Sequence, residues 1–192
     1  IQQDFGLEII ETFGLFAKIE PVKLSDYFSV TLEENIPLAV AMNTEKAKSE
    51  LIIAPVLIEI RKRFERKISF FSGIEFTIDK EKGLNGSCDF LMSLSSEQLF
   101  VKSPVIALVE AKNENSMAGL GQCMAEMIAA KMFNETEGNR IPITYGAVTT
   151  GIFWKFIKLI DNRVSIDLKD YSLEDKPEQV IGILSAMMAQ QA

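Results

Sequence analysis

The chain has 192 residues, 47% apolar and 24% charged, the size and balance of one well-packed soluble domain rather than two. Its lack of histidine removes Ser–His and Cys–His nucleophile systems, imidazole general bases and most transition-metal sites, so any chemistry rests on carboxylates, lysines, hydroxyls or a hard cation. Two cysteines cannot build a disulfide framework or a zinc cluster, and a net charge of −7 argues against a strongly basic nucleic-acid coat, though not against a local basic patch or a partner that delivers the substrate.

Residues 1–43 mix apolar stretches with Gly6, Gly14, Pro21 and Pro37, and predict a helix near 4–18 followed by a shorter helix or an irregular segment. A longer helix is expected from about Thr44 to Lys67, capped by Asn43 or Thr44 and filled with Ala, Leu, Ile, Glu and Lys. Pro55 removes an interior hydrogen bond, so this helix kinks there or starts a new segment. From Ile68 the pattern turns to short β-rich runs: 68–72, 74–79, 87–93 and 105–112, with a hairpin connection over Gly83 to Gly86. Ser116 is a candidate cap for a helix over 116–134, rich in Ala and Met, and a turn follows around 137–139. Strands resume at 143–149, 153–159 and 164–168, and a last helix covers about 172–190.

The order helix, strands, helix, strands, helix predicts an α/β fold with a central mixed β-sheet flanked by helices. Three parts are expected within it: an N-terminal helical extension over 1–43 packed on the core, a core over 44–170, and a C-terminal helix over 171–192. No apolar run approaches the roughly 20 residues that cross a bilayer. Nor does a basic stretch precede an apolar core at the N-terminus, so no secretory signal and no membrane partner are expected. Cys88 and Cys123 read as small buried hydrophobes in a reducing, cytoplasmic setting.

The chemistry concentrates between Gly86 and Lys112. Asp89 opens an alternating strand after a glycine turn, in Gly86-Ser87-Cys88-Asp89-Phe90. Some residues later the apolar strand Val105-Ile106-Ala107-Leu108-Val109 ends in Glu110-Ala111-Lys112-Asn113. A buried strand tolerates charge only at its end or beside a partner, because desolvating a carboxylate is costly. Alternation puts Glu110 and Lys112 on one face. If the Asp89 strand is the neighbour, two carboxylates and one ammonium meet at one sheet edge. Two carboxylates and a backbone carbonyl suit Mg²⁺, which keeps several waters. A lysine beside them can orient a water and stabilise charge growing on a phosphate.

This pattern resembles the PD-(D/E)xK nuclease superfamily, with its restriction endonuclease-like fold. It is most similar to the nuclease domains of type I restriction motor subunits. The likeness covers roughly 44–160, with Cys88 where the family's named proline would stand. It implies Asp89, Glu110 and the Ala111 backbone carbonyl as ligands of Mg²⁺ or Mn²⁺, and Lys112 as the catalytic lysine. Gln122, in Gly121-Gln122-Cys123-Met124-Ala125-Glu126, matches the glutamine of the family's following helix, and Glu50, in Ser49-Glu50-Leu51-Ile52, its first-helix acid. Tyr145 to Phe156 resembles the strand–turn–strand that closes such domains.

An acid-x-Lys triplet alone selects nothing, since Glu65-Arg66-Lys67, Asp167-Leu168-Lys169 and Glu174-Asp175-Lys176 also occur. Only Glu110 follows an apolar strand, with a Gly-x-x-Asp strand before it and a Gln-bearing helix after it. Read without the family, Asp89 also suits a strand-end cap, and Glu110 with Lys112 a solvated ion pair. Glu50 also reads as a surface glutamate and Gln122 as a capping or packing residue, while Glu126, sharing Gln122's face, reads as solvated. The basic run from Arg61 to Lys67 reads as a solvated helix end, with a DNA-facing patch as the alternative. Trp154 and Phe156 read as core rather than base-stacking residues, and Leu184, Met187 and Met188 as either sheet cover or an oligomer interface. The expected function is divalent-metal-dependent hydrolysis of nucleic acid, DNA first, with a homodimer or a partner subunit left open. The alternative is a non-catalytic module of the same fold that binds protein or nucleic acid.

Overall fold

The computed structural model describes residues 5–190, the side chain of Ser116 excepted. It is an α/β structure built on one mixed eight-stranded sheet flanked by helices. In chain order the elements are β1 (Glu8–Thr12), α1 (Asp26–Met42), α2 (Glu45–Lys48), a π-helical turn (Ser49–Ile53) and α3 (Ala54–Arg63). Then come β2 (Ser69–Glu75), β3 (Ser87–Ser93), β4 (Val105–Ala111), a 3₁₀ turn (Ser116–Gly119) and α4 (Leu120–Thr136). The chain closes with β5 (Thr144–Thr149), β6 (Phe153–Ile160), β7 (Arg163–Asp167), β8 (Tyr171–Ser172) and α5 (Pro177–Met188).

The strands lie in the order β1-β7-β6-β5-β4-β3-β2, with β8 also on β6. β1 with β7, and β4 with β5, run parallel; the other pairs are antiparallel. Parallel β4 and β5 need a crossover, and α4 supplies it. β4 is buried along its whole length, which is why it reads as an unbroken apolar run. One face of the sheet packs against α1, the π turn, α3 and α5, through Ile52, Leu57, Phe156, Ile183 and their neighbours. The other packs against α4, through Leu91, Leu108, Cys123 and Met127. Gly146 lets α4 come close: a Cβ there would lie 2.5 Å from Met127 Sδ.

The expected helix over 4–18 is instead the edge strand β1. Ile9, Ile10 and Thr12 favour a strand, and Gly6 and Gly14, at φ 59° and 74°, bracket it. Residues 8–12 are therefore a strand of the sheet, and the helix within the first 43 residues is α1, which packs on the core through Phe28, Leu32 and Ala39. The turn after β1 is held by Asp167, whose carboxylate accepts the N–H groups of Gly14 at 2.7 Å and Phe16 at 3.1 Å. It also accepts the Tyr171 hydroxyl at 2.8 Å.

The helix expected over 44–67 ends at Arg63, and Thr44 rather than Asn43 caps it, its Oγ1 accepting the Ala47 N–H at 3.1 Å. Asn43 instead closes α1 in the left-handed conformation. Pro55 leaves the carbonyl of Leu51 without its usual donor. The chain answers with the π turn just before it, and the Asn35 amide donates to the Leu51 carbonyl at 2.8 Å. The runs expected over 68–72 and 74–79 merge into one strand, β2, that passes through Gly73 and stops at Glu75. The predicted last helix starts late, at Pro177, because 171–172 form β8. Leu184, Met187 and Met188 cover the sheet, and Trp154 and Phe156 are core. No helix among the described residues is long and apolar enough to cross a membrane.

Candidate active site

Asp89, Glu110 and Lys112 meet where β3 and β4 approach the start of α4. Phe90 pairs with Val109, so the next pair along the ladder brings Asp89 beside Glu110. A twist in the sheet makes this meeting local. Phe70 and Phe90 pack on one face, whereas Ile74 and Cys88 pack on the other. Even spacing would keep each pair on a single side of a regular strand. The switch occurs at Gly73, at φ 61°, and at Asp89 opposite it. Asp89 Oδ2 accepts the Ala111 N–H at 2.8 Å, which fixes the peptide between Glu110 and Lys112.

Glu110 is 1% exposed. Its Oε1 accepts the Lys112 ammonium at 2.5 Å, and its buried Oε2 has no hydrogen-bond partner among the described residues. Burial, partly relieved by the Lys112 bond and reinforced by the charge of Asp89, pushes its carboxyl up to about 7. Burial pulls the Lys112 ammonium down, but its bond to Glu110 and the charges of Glu110, Glu45 and Asp89 outweigh that and hold it above its usual value. Gly119 presses against the pair: a Cβ there would lie 3.0 Å from Glu110 Cγ and 3.1 Å from Lys112 Cε.

No family model matches the chain, and no curated protein matches it either. The reading of the site therefore rests on its geometry.

Gln122 lies at the rim, where its amide donates to Glu126 Oε1 at 3.2 Å. Glu126 is not solvated as its spacing suggested. It is 9% exposed, with Oε2 buried and unpartnered. Burial, the charge of Glu110 and that of Asp89 push its carboxyl up to about 8, against the Gln122 bond and the charge of Lys112. The Cys88 thiol faces this cluster; burial and the charges of Glu126, Glu110 and Asp89 push it well up, so it is not a nucleophile here. Glu50 is not brought into the site. It is exposed and pairs with Lys46 at 2.9 Å, and the first-helix acid whose charge reaches Lys112 is Glu45.

Lys48 was not anticipated. It is buried, and its ammonium donates to Asn43 Oδ1 at 3.0 Å, to the Asn113 carbonyl at 2.7 Å and to Asn113 Oδ1 at 3.0 Å. It thereby ties the end of α2 to the residue after Lys112. A single helical lysine carries no sequence sign of such burial. The basic residues 61–67 are engaged locally: Arg61 Nε donates to the Ile68 carbonyl, Arg63 to the Lys23 carbonyl, and Lys62 sits 4.0 Å from the centre of the Tyr27 ring.

The donor set fits a hard divalent cation. It consists of oxygens, carries more negative than positive charge, and includes the unpartnered Glu110 Oε2. Among the described residues no three acidic or thiol side chains form a cation cage by themselves. A cation held by Asp89 and Glu110 would need further oxygen ligands, such as the Ala111 carbonyl and water, the kind of shell that Mg²⁺ keeps.

Proposed function

We propose that this chain is a Mg²⁺- or Mn²⁺-dependent nuclease with a restriction endonuclease-like core, hydrolysing phosphodiester bonds in DNA. The observation that carries the reading is the convergence of the Asp89 and Glu110 carboxyls with the Lys112 ammonium at the end of a buried strand, with Glu110 Oε2 unpartnered. The order of elements supports it: a helix, the antiparallel strands β2–β3–β4 with Asp89 and Glu110 on neighbours, then a helix bearing Gln122 and a strand parallel to β4.

Asp89 and Glu110, with the Ala111 carbonyl, would hold the cation. When bound, such an ion polarises a phosphate and lowers the pKa of a water. Lys112, charged at neutral pH, donates hydrogen bonds towards the reacting phosphate, orients the attacking water and opposes the charge that grows on the phosphate oxygens. Asp89 keeps the Ala111 peptide aligned, and Lys48 holds the following loop through Asn113, so Lys112 is positioned from both sides.

The test is cleavage of single-stranded, double-stranded and branched DNA, and of RNA, with Mg²⁺ or Mn²⁺. Lys112→Ala is expected to lower the rate by a hundredfold or more, in the range of a lost charge-stabilising group. Asp89→Ala is expected to abolish the stabilisation that the metal gives in thermal melting. Cleavage unchanged in Lys112→Ala, or metal stabilisation that survives Asp89→Ala, refutes the assignment.

A further inference from the structure

The register of the sheet extends the site sideways. Glu110 pairs with Val148 on β5, and Val148 pairs with Lys155 on β6, so these three side chains leave one face of the sheet. It is the face towards α4: Val148 belongs to the core on that side, and a Cβ at Gly119 would crowd Val148, Glu110 and Lys112 alike. Two residues further out, alternation returns to the same face at Lys112 beyond β4 and at Phe153 on β6, which runs opposite to β5. Trp154, between Phe153 and Lys155, belongs to the core on the other face. Backbone bonds close this outer row. The Lys112 N–H donates to the Thr149 carbonyl at 2.8 Å, the Thr150 N–H to the Phe153 carbonyl at 3.1 Å, and the Phe153 N–H to Thr150 Oγ1 at 3.2 Å. The backbones of Lys112 and Phe153 therefore lie two strand spacings apart, about 10 Å.

Phe153 is 50% exposed. Its ring pairs with no other aromatic ring among the described residues. A single exposed phenylalanine is ordinary, so its place is what distinguishes this one. The other exposed aromatic rings stand elsewhere: Phe13 after the edge strand β1, Tyr27 on α1 beneath Lys62, and Phe100 in the β3–β4 loop at the opposite end of the sheet. The turn that carries Phe153 is tightly held. Thr149 Oγ1 accepts the Gly151 N–H and donates to the Phe153 carbonyl, both at 2.9 Å. The Trp154 indole donates to the Gly151 carbonyl at 3.0 Å, and the Leu173 N–H to the Ile152 carbonyl at 2.8 Å. A ring on such a turn has little freedom left to lose on contact.

A neutral ring beside a phosphate-binding lysine offers a nucleic acid its face. Stacking on that face needs a base with a free face of its own. Inside a duplex both faces of a base are covered by its neighbours, whereas an unpaired base presents one. We propose that Phe153 is a stacking platform for an unpaired base on the strand whose phosphate meets Asp89, Glu110 and Lys112, so that the site takes unpaired DNA in preference to a continuous duplex. The platform rests on the phosphodiester reading of the site for its substrate class, but its test reads binding rather than cleavage.

The probe is a short, fluorescently labelled oligothymidylate carrying one 5-iodouracil, presented with Ca²⁺, which like Mg²⁺ takes oxygen ligands. Irradiation of the complex is expected to join the iodouracil to Phe153, read by mass spectrometry of the digested chain. Binding, followed by anisotropy, is expected to weaken about five- to a hundredfold in Phe153→Ala, the span of one lost base–aromatic stack. Phe153→Tyr keeps the ring and is expected to match the native chain. A duplex of the same length is expected to bind more weakly than the single strand and to lose nothing in Phe153→Ala, with the melting temperature retained in both variants. Four results overturn the platform: crosslinks confined to other residues, Phe153→Ala binding the strand as tightly as the native chain, a loss shared equally by strand and duplex, or Phe153→Tyr as weak as Phe153→Ala. A native chain that binds neither strand nor duplex overturns it as well. The two readings fail separately. Cleavage that requires Lys112, with strand binding indifferent to Phe153, removes the platform alone, whereas Phe153-dependent binding in a chain that cuts nothing leaves the platform standing and removes the nuclease reading.

Discussion

Two buried carboxyls one helix-to-strand contact apart do not titrate independently. Glu126 is pushed up to about 8 by burial first and by the charge of Glu110 second, and Glu110 to about 7 mainly by burial. Glu110→Gln removes that charge while keeping shape, so Glu126 is expected to titrate lower than in the native chain, though still above an ordinary glutamate because burial remains. Carboxyl ¹³C NMR titration measures this directly; a Glu126 midpoint that does not fall in Glu110→Gln would show that the two groups are not coupled. The contrast between these residues also explains what the amino-acid order could reveal. Asp89, Glu110 and Lys112 were legible because each sits where a strand meets a turn, a place that restricts charge. Glu126 was not, since i,i+4 spacing shows which residues share a helix face but not whether that face is covered. The resemblance points to Glu50, yet five residues turn an α-helix about 140° beyond a full revolution. The face that carries Glu45 and the buried Lys48 is therefore not the face of Glu50.

At the scale of elements, the start of α4 positions the site, and Gly119 just before it and Gly121 in its first turn have opposite duties. A Cβ at Gly119 would lie 2.7 Å from Val148 Cγ1, a fully buried side chain, besides crowding Glu110 and Lys112. A Cβ at Gly121 meets nothing within 4 Å. Gly119→Ala is expected to destabilise by about 1–3 kcal/mol as overpacking and to weaken metal-induced stabilisation, because Glu110 and Lys112 must move. Gly121→Ala is expected to stabilise by roughly 0.5–1 kcal/mol through helix propensity alone. Paired denaturant melts decide it, and Gly119→Ala as stable as Gly121→Ala would contradict the packing described. The elements were legible where periodicity was long: β3, β4, α4, β5, β6 and β7 fall close to the predicted spans. β1 was misread because an edge strand of five residues has too little alternation to outweigh a neighbouring apolar run. Its partner β7 lies some 150 residues away, and Asp167, which pins the turn after it, stood out only as part of an uninformative acid-x-Lys triplet.

For the whole molecule, the raised carboxyls make stability depend on pH in a direction opposite to that of an ordinary salt-bridged protein. An unfolded glutamate loses its proton near pH 4.3, whereas Glu110 and Glu126 in the folded chain keep theirs until about 7 and 8. Between these values the folded state binds more protons than the unfolded one, so stability falls as pH rises. Their contribution is fully present below the unfolded value and is lost as pH climbs through 7 to 8. The metal-free chain is therefore expected to melt highest near pH 5 and progressively lower towards pH 8. A divalent cation binds the same carboxyls in their charged form, so its stabilisation grows over the interval in which theirs is lost. At a hundredfold excess over its Kd the cation would add about 2.7 kcal/mol, roughly 5–11 °C in a chain of this size. At pH 6, where protons compete for Glu110, the gain is expected to be smaller. Calorimetry at pH 6 and pH 8, with and without Mg²⁺ at matched ionic strength, separates the alternatives. A melting temperature flat in pH would mean that Glu110 and Glu126 titrate alike in both states. A Mg²⁺ gain equal at the two pH values would mean that the ion binds somewhere other than on these carboxyls.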